Sequence, residues 1–196
     1  MNFRISAYYK DLDEYVRSTK VYALSGVCKR LDEGAEEAVA LIDRQTGAGK
    51  KLLFIGNGAS AMIASHQAVD YWWRGGMKAM AFNDPAMLTC VSNDSGFENV
   101  FSAPLKTYAE KGDILFAISS SGKSKNIISA VKTAKRKGCR VITLTGFSGK
   151  NPLMKLGDIN FFVPAPAYSQ VEVIHHSICH FLLEMLIGRK GRNSRR

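Results

Sequence analysis

The sequence has little proline, few cysteines and no long uninterrupted apolar run. Of its 196 residues, 5 are proline and 4 are cysteine, and no two cysteines form a CxxC pair. This composition excludes collagen-like, low-complexity and largely disordered chains. No segment reaches the roughly 18 apolar residues of a membrane helix, and the N-terminus lacks the apolar stretch of a signal peptide. We therefore expect a cytoplasmic protein with reduced, mostly buried thiols and no membrane partner.

Positive charge is in excess, but about half of the excess lies at the C-terminus. The net charge is +10, and the last eight residues, RKGRNSRR, carry five positive charges and no acid. A short basic segment that contains Gly, Asn and Ser is typical of a solvated tail, so we do not expect nucleic acid as a partner. The mild positive charge of the remaining chain suits an anionic small ligand.

The hydrophobic pattern changes near residue 50. Before it, apolar residues at three- and four-residue spacing predict an N-terminal helical hairpin that packs on the core or on a neighbouring subunit. The apolar positions are Tyr8, Leu12, Tyr15 and Val16, then Val27, Leu31, Ala35, Ala38 and Leu41. After it, five short apolar runs alternate with predicted helices at 60–74, 85–110, 124–137, 151–156 and 168–187. The runs are KLLFIG, KAMAF, DILFAIS, RVITLTG and DINFFVP.

This alternation predicts an α/β fold with a doubly wound, five-stranded parallel sheet of the flavodoxin-like kind. A chain of this length favours one main domain. We expect N-terminal helices over 1–49, a ligand-binding domain over 50–188 and a basic disordered tail over 189–196.

Two loops lie where such a sheet binds its ligands, at the C-terminal ends of strands. GNGAS at 56–60 follows the first run, SSSGKS at 119–124 follows the third, and each opens a predicted helix. Glycines permit tight turns, while hydroxyls and free helix N–H groups bind phosphate oxygens. Neither loop completes a dinucleotide fingerprint or a Walker A motif, so we expect no nucleotide cofactor. The serine loop favours a phosphate monoester, and the alternative is a flexible connector with an ordinary helix cap.

Two predicted helices carry imidazole and carboxylate side chains at four-residue spacing. His66 and Asp70 share a face of one helix, and Glu172, His176 and His180 repeat along the last. Such groups can ligate Zn²⁺ or transfer protons. The alternative is ordinary surface pairs, although the apolar neighbours on the last helix make idle polar groups there costly.

Three further polar residues are weaker candidates. Arg74 could reach an anion from the end of its helix, and Asn93 and Asp94 could line the same crevice. Each of them also fits the end of a helix. Trp72 and Trp73 are more typical of packing or of an interface than of base stacking.

Several segments together carry a resemblance to a known family: GNGAS with His66 and Asp70, SNDSGFENVF, GDILFAISSSGKSKNIISAVKTAKRKG, VITLTG and the closing helix. In these segments the chain resembles the sugar isomerase (SIS) domain family, in its phosphoheptose isomerase branch. The resemblance extends from about Lys50 to Ile187. It implies the SIS fold, a homotetramer with active sites between subunits, and zinc. It also implies interconversion of sedoheptulose 7-phosphate and D-glycero-D-manno-heptose 7-phosphate.

The same resemblance implies roles for individual residues. The phosphate would be held by Ser119, Ser120, Ser121 and Ser124. The sugar site would be lined by Asn57, Gly58, Ala59, Asn93 and Asp94. Beyond what the resemblance implies, we expect Ser60, Arg74 and Glu172 to contact the substrate as well. The metal would be held by His66, Asp70, Glu172 and His180, with His176 as an added candidate. Asp70 and His180 would move protons between C1 and C2.

The chain departs from the family's usual residues at three of these positions. It has Asp70 in place of Glu, Glu172 in place of Gln, and Ala59 in place of Gly. Asp70 shortens the reach of the expected base by one methylene. Our leading hypothesis is a sugar-phosphate isomerase. The alternatives are a non-catalytic SIS module that binds a phosphosugar or a protein, and an isomerase of another sugar phosphate; the presence of both His66 and His180 favours an enzyme.

Overall fold

The structure is a computed structural model that describes residues 4–23, 27–189 and 191. Its helices are α1 (Ile5–Ser18), α2 (Leu31–Gly47), α3 (Ala59–Trp73), α4 (Pro85–Ser95), α5 (Ser102–Tyr108), α6 (Lys125–Arg136) and α7 (Tyr168–Arg189). Short 3₁₀ helices occupy Phe97–Asn99 and Leu153–Lys155. Its strands are β1 (Lys20–Ala23), β2 (Cys28–Arg30), β3 (Leu52–Gly56), β4 (Ala79–Ala81), β5 (Ile114–Ile118), β6 (Arg140–Gly146) and β7 (Ile159–Val163). Most of the predicted basic tail, residues 190 and 192–196, lies outside the described residues.

The five predicted parallel strands are confirmed. β4, β3, β5, β6 and β7 lie side by side in that order, and each neighbouring pair is parallel. Numbered along the chain, this is the 2-1-3-4-5 order of flavodoxin-like sheets. All residues of β3, β5 and β7 are buried, as expected for a sheet that helices cover on both faces.

The N-terminal region differs from the predicted helical hairpin. Both helices are present, but β1 and β2 form an antiparallel β-hairpin between them. Val27, predicted to lie in the second helix, precedes β2 instead. β1 also pairs antiparallel with β7 and so supplies hydrogen-bond partners to the backbone at the outer edge of that strand. The helical periodicity of the flanking residues does not indicate this pairing. The N-terminal region thus extends the sheet. The predicted boundaries after residues 49 and 188, between the N-terminal helices, the ligand-binding domain and the tail, stay predictions.

Two apolar layers enclose the sheet. Leu52 and Phe54 of β3 point into the layer formed with α2, α3 and α7, and Leu53 and Ile55 point into the layer formed with α5 and α6. This alternation follows the two-residue period of a strand. α2 and α7 also pack on each other within the first layer.

Two helices differ in detail from the sequence pattern. The predicted helix over 85–110 is broken at Gly96, whose φ of +85° ends α4. α7 has the length and composition of a membrane-crossing helix, but half of that window is buried inside the protein. Its buried residues contribute to the core, as in the central helix of a globular domain. The absence of a membrane partner and the cytoplasmic location stay predictions.

The four cysteines divide evenly between interior and surface. Cys139 and Cys179 are buried, whereas Cys28 and Cys90 are exposed, so burial is less general than the sequence suggests. Burial raises the pKa of Cys139 to about 11 and that of Cys179 to about 12. These two thiols are therefore protonated and poorly nucleophilic near neutral pH.

The contact between α2 and β1 gives a test of the observed N-terminal arrangement. A Cβ added at Gly34 would lie 2.3 Å from Cβ of Val21, whereas nothing lies within 4 Å of a Cβ added at Gly47 of the same helix. We expect Gly34→Ala to lower the free energy of unfolding by about 1–3 kcal/mol through overpacking. Gly47→Ala, the matched control, should raise it by up to about 1 kcal/mol. Urea unfolding measures both, and equal effects of the two substitutions would contradict the β1–α2 contact.

Candidate active site

The glycine loop and the serine loop meet because β3 and β5 are neighbours. Gly56, the last residue of β3, lies opposite Ile118, the last residue of β5. The side-chain amides of Asn57 and Asn126 then join the two loops by reciprocal hydrogen bonds of 3.0 and 2.8 Å. The two loops therefore form one rigid edge at the switch point of the sheet.

Between these loops lies a cavity of about 140 Å³ that is rich in hydroxyl groups. Its lining consists of Asn57, Ser60, Ile118, Ser119, Ser120, Ser121, Ser124, Tyr168 and Glu172. We call it the serine cavity. The Ser120 hydroxyl is buried and has no hydrogen-bond partner among the described residues. Ser124 is the N-cap residue of α6, but its side chain makes no capping hydrogen bond. Its hydroxyl therefore does not act as an ordinary helix cap.

These features suit an oxyanion. Hydroxyls can donate to its oxygens, and the N–H groups at the start of a helix have no backbone acceptor within that helix. In α6 one of them, the N–H of Ile127, already donates to Oδ1 of Asn126. The positive end of the helix dipole favours a negative charge there. Gly122 gives the loop its shape: its φ is +61°, and a Cβ there would lie 2.1 Å from Oδ1 of Asn151.

A second polar group lies between α3 and α7. Oδ2 of Asp70 is 3.4 Å from Nε2 of His66 and 3.4 Å from Nδ1 of His180. The His176 ring lies next to both imidazoles, with centroids 5.1 Å from that of His66 and 4.5 Å from that of His180. We call His66, Asp70, His176 and His180 the imidazole cluster. The four-residue spacings on each helix predict its two halves, and the packing of α3 on α7 joins them.

Tyr71 fixes how these two helices meet. Its ring is fully buried against Phe54 and Phe116, and its hydroxyl donates a 3.0 Å hydrogen bond to the carbonyl of Cys179. Tyr71 follows Asp70 in sequence and Cys179 precedes His180. The bond therefore sets the level at which Asp70 faces His180.

Burial and mutual repulsion favour the neutral forms of the His176 and His180 imidazoles. Burial lowers the pKa of His176, and the nearby His180 and His66 lower it further, while Asp70 acts in the opposite direction. Burial also lowers the pKa of His180 against the opposing effect of Asp70. Neutral imidazole is the form that binds metals and accepts protons. Nε2 of His176 is buried and unpartnered among the described residues, and in the tautomer that has its lone pair on Nε2 it can bind a metal ion.

Helix α7 connects the serine cavity with the imidazole cluster. Glu172 lines the cavity one turn before His176, about 6 Å along the helix axis. Burial raises the pKa of Glu172. A ligand with an anionic group in the cavity could thus present its other end to the cluster.

The remaining predicted residues lie at different distances from these two groups. Gly58 and Ala59 begin α3 beside the cavity but do not line it. Arg74 contacts Asp70, with 3.8 Å between Nη1 and Oδ2, and pairs with Glu184. Asn93 and Asp94 are exposed on α4 and bond to each other, and neither lines the serine cavity. Their assignments to the sugar stay predictions.

Two polar residues of the site were absent from the predicted set. Tyr168 lines the serine cavity from the first turn of α7. Asn126 lies only two residues after the serine loop, so its position was a usable signal. Tyr168 had no comparable signal, because its place depends on how α7 crosses the end of the sheet.

Comparison with known proteins extends these observations. Residues 14–146 match the model of the SIS domain. A phosphoheptose isomerase of Glaesserella parasuis is 40% identical over 157 residues, which is 77% of this chain and 81% of that protein. One of Hamiltonella defensa is 39% identical over 168 residues, covering 83% and 80% of the two chains. The structure of phosphoheptose isomerase from Neisseria gonorrhoeae matches with a TM-score of 0.82 at 28% identity and covers 94% of this chain and 97% of that one.

The paired amides of Asn57 and Asn126 give a test of the site's scaffold. If they hold the two loops together, a double-mutant cycle of Asn57→Ala and Asn126→Ala should give a coupling energy of about 1–2 kcal/mol in urea unfolding. Asn93→Ala with Asn126→Ala serves as the control cycle, since no bond joins Asn93 to Asn126 among the described contacts, and its coupling should be near zero. Additive effects of Asn57→Ala and Asn126→Ala would contradict the link between the loops.

Proposed function

This chain belongs to the SIS domain family, in its phosphoheptose isomerase branch, and on that premise we propose that it is an aldose–ketose isomerase of a phosphorylated sugar. The proposed reaction converts sedoheptulose 7-phosphate to D-glycero-D-manno-heptose 7-phosphate. The observation that carries the proposal is the connection by α7 of a hydroxyl-lined cavity with a carboxylate–imidazole cluster. The reaction moves hydrogen within one molecule, so it requires no nucleotide cofactor.

The serine cavity is the proposed phosphate site. Its hydroxyl groups and the α6 N-terminus can satisfy the phosphate oxygens without an arginine. Binding at this remote end would hold C1 and C2 of the sugar near the imidazole cluster. Glu172, between the two, is placed to contact sugar hydroxyls.

Asp70 is the proposed base. Its carboxylate is 16% exposed and lies between two imidazoles and Arg74, so it is oriented and only partly solvated. It would take the proton from C1 of the ketose and return it to C2, and His180 would assist the transfer at the oxygens. His66, the most exposed member of the cluster at 51%, marks the side from which the sugar would enter.

Zinc is the metal we propose for this cluster, because imidazole nitrogens are among its preferred ligands. The unpartnered Nε2 of His176 and the grouping of three imidazoles fit such an ion. When bound, it would polarise the sugar carbonyl as a Lewis acid. His66, Asp70 and His180 are the residues of the cluster that the family resemblance also assigns to the metal.

The isomerase assay tests this function and its alternatives. Sedoheptulose 7-phosphate should be turned over by the wild type, and Asp70→Asn should lower kcat by about 10²–10⁴-fold because it removes the base. Ser124→Ala should raise KM about 10-fold or more through the loss of a hydrogen bond to a charged group. Ser129→Ala, on the same helix outside the serine cavity, is the control and should leave both constants unchanged.

Melting temperatures separate the outcomes. An inactive wild type that sedoheptulose 7-phosphate stabilises against heating would favour the non-catalytic module, since binding alone raises stability. Turnover of a different sugar phosphate would favour the isomerase of another substrate. If no phosphosugar is turned over and none raises the melting temperature, the proposed site is refuted.

A homotetramer with sites between subunits is also part of the proposal. Large apolar side chains flank the imidazole cluster on the outer faces of its helices: Met62, Val69 and Trp73 on α3, and Val173 and Phe181 on α7. Light scattering should give a mass of about four times the 21.6 kDa of one chain. Val69→Asp should lower that mass, because it would bury a charge at the interface. A monomeric wild type would contradict the proposal.

A further inference from the structure

We propose that the metal ion is held by three imidazoles, those of His66, His176 and His180, and that Asp70 lies outside its coordination sphere. The carboxylate of Asp70 instead orients two of the imidazoles and stays free to act as the base. This inference rests on the proposed function for its consequence in the reaction. Its claim about the metal ligands does not.

The first support is the geometry of the three rings. One ligand nitrogen from each histidine lies within 4.8 Å of the others, and no other group of three or more His, Cys, Asp and Glu ligands comes together among the described residues. A tetrahedral site with Zn–N bonds of about 2.1 Å spaces its ligands about 3.4 Å apart. Rotation of exposed His66 can supply the small closing movement, since its side chain is 51% exposed.

The second support is the unpartnered nitrogen of His176. Nε2 of His176 is buried and makes no hydrogen bond with any described residue, a costly state for a polar atom. His176 stands one turn before His180 on α7, so the two rings face the same side of the helix. A metal ion between them would satisfy this nitrogen.

The third support is the position of Asp70. Its Oδ2 lies 3.4 Å from one nitrogen of His66 and 3.4 Å from one nitrogen of His180, which leaves the second nitrogen of each ring for a metal. A ligating histidine commonly donates its other N–H to a carboxylate in this way. Arg74, which also pairs with Glu184, approaches Asp70 from the side of the next helical turn.

Glu172 completes the contrast with the ligand set that the family resemblance implies. That set is His66, Asp70, Glu172 and His180. In the structure Glu172 lines the serine cavity and does not join the group of three histidines. His176 takes the place of the carboxylate in the ligand set. With one nitrogen on the metal and the other on Asp70, His180 would have no nitrogen left for proton transfer at the sugar oxygens. The three-imidazole site therefore replaces that role of His180 and leaves the proton transfer to Asp70.

Binding of Co²⁺ and Zn²⁺ to the full-length chain tests the ligand set. Cys28→Ser with Cys90→Ser provides the background, because it removes the two exposed thiols that could bind these ions adventitiously. We expect one Co²⁺ per chain from the visible absorption titration and three imidazoles from X-ray absorption at the zinc edge. His176→Ala should lower the imidazole count to two and weaken Co²⁺ binding by about 100-fold or more.

Asp70→Asn is the decisive comparison. It should keep one metal per chain and three imidazoles, with affinity lowered by at most about 100-fold, while isomerase activity is lost. Two imidazoles in the wild type would overturn the assignment, and so would unchanged zinc binding in a folded His176→Ala chain. If His176→Ala does not fold, the imidazole count of the wild type decides alone. Three imidazoles in a protein that turns over no phosphosugar would leave the ligand set standing and refute the proposed function.

Discussion

The hydrogen bond from the Tyr71 hydroxyl to the Cys179 carbonyl is the constraint on which the candidate active site depends. A phenol buried in an apolar layer requires an acceptor, and here the acceptor is the Cys179 carbonyl, which fixes the level of α7 against α3. Burial raises the pKa of Tyr71 well above its ordinary value, so the hydroxyl remains a donor. Asp70 and His180, the chain neighbours of the two bonded residues, are then brought together without any flexible element between them.

The sheet imposes the second constraint. Because β3 and β5 are parallel neighbours, the loops that leave them start at the same edge, and the Asn57–Asn126 pair closes the gap between those loops. α7 then crosses this edge with Glu172 at the serine cavity and with His176 and His180 against His66 of α3. A rigid scaffold thus holds the proposed anion site and the proposed proton-transfer site at a separation set by helix geometry rather than by loop conformation.

The electrostatics of the imidazole cluster follow from its mixed composition. The Asp70 carboxylate faces the imidazoles of His66 and His180 and the guanidinium of Arg74, while His176 makes no ion pair with any residue that the structure describes. Burial and imidazole–imidazole repulsion lower the pKa of His176 and that of His180, and Asp70 opposes both effects. The proposed divalent ion would replace that repulsion by attraction.

Much of this protein could be predicted from its sequence because local patterns record local requirements. The five apolar runs mark strands that are buried on both faces, and GNGAS and SSSGKS mark turns that open helices at strand ends. Parallel topology then requires the two loops to meet. The spacing of His66 and Asp70, and of His176 and His180, likewise placed each pair on one face of its helix.

Other features depend on contacts between distant segments. The β-hairpin of β1 and β2 forms because the edge of β7 needs a partner, although the flanking residues have helical periodicity. Glu172 and His176 are equally plausible metal ligands by spacing, and only the crossing of α7 over the sheet turns one towards the serine cavity and the other towards His66. Local sequence patterns suffice to identify the strands, the two loops and the chemical groups. Which of those groups share a site depends on the folded packing, because the register of α3 against α7 is set by packing and by one buried hydrogen bond.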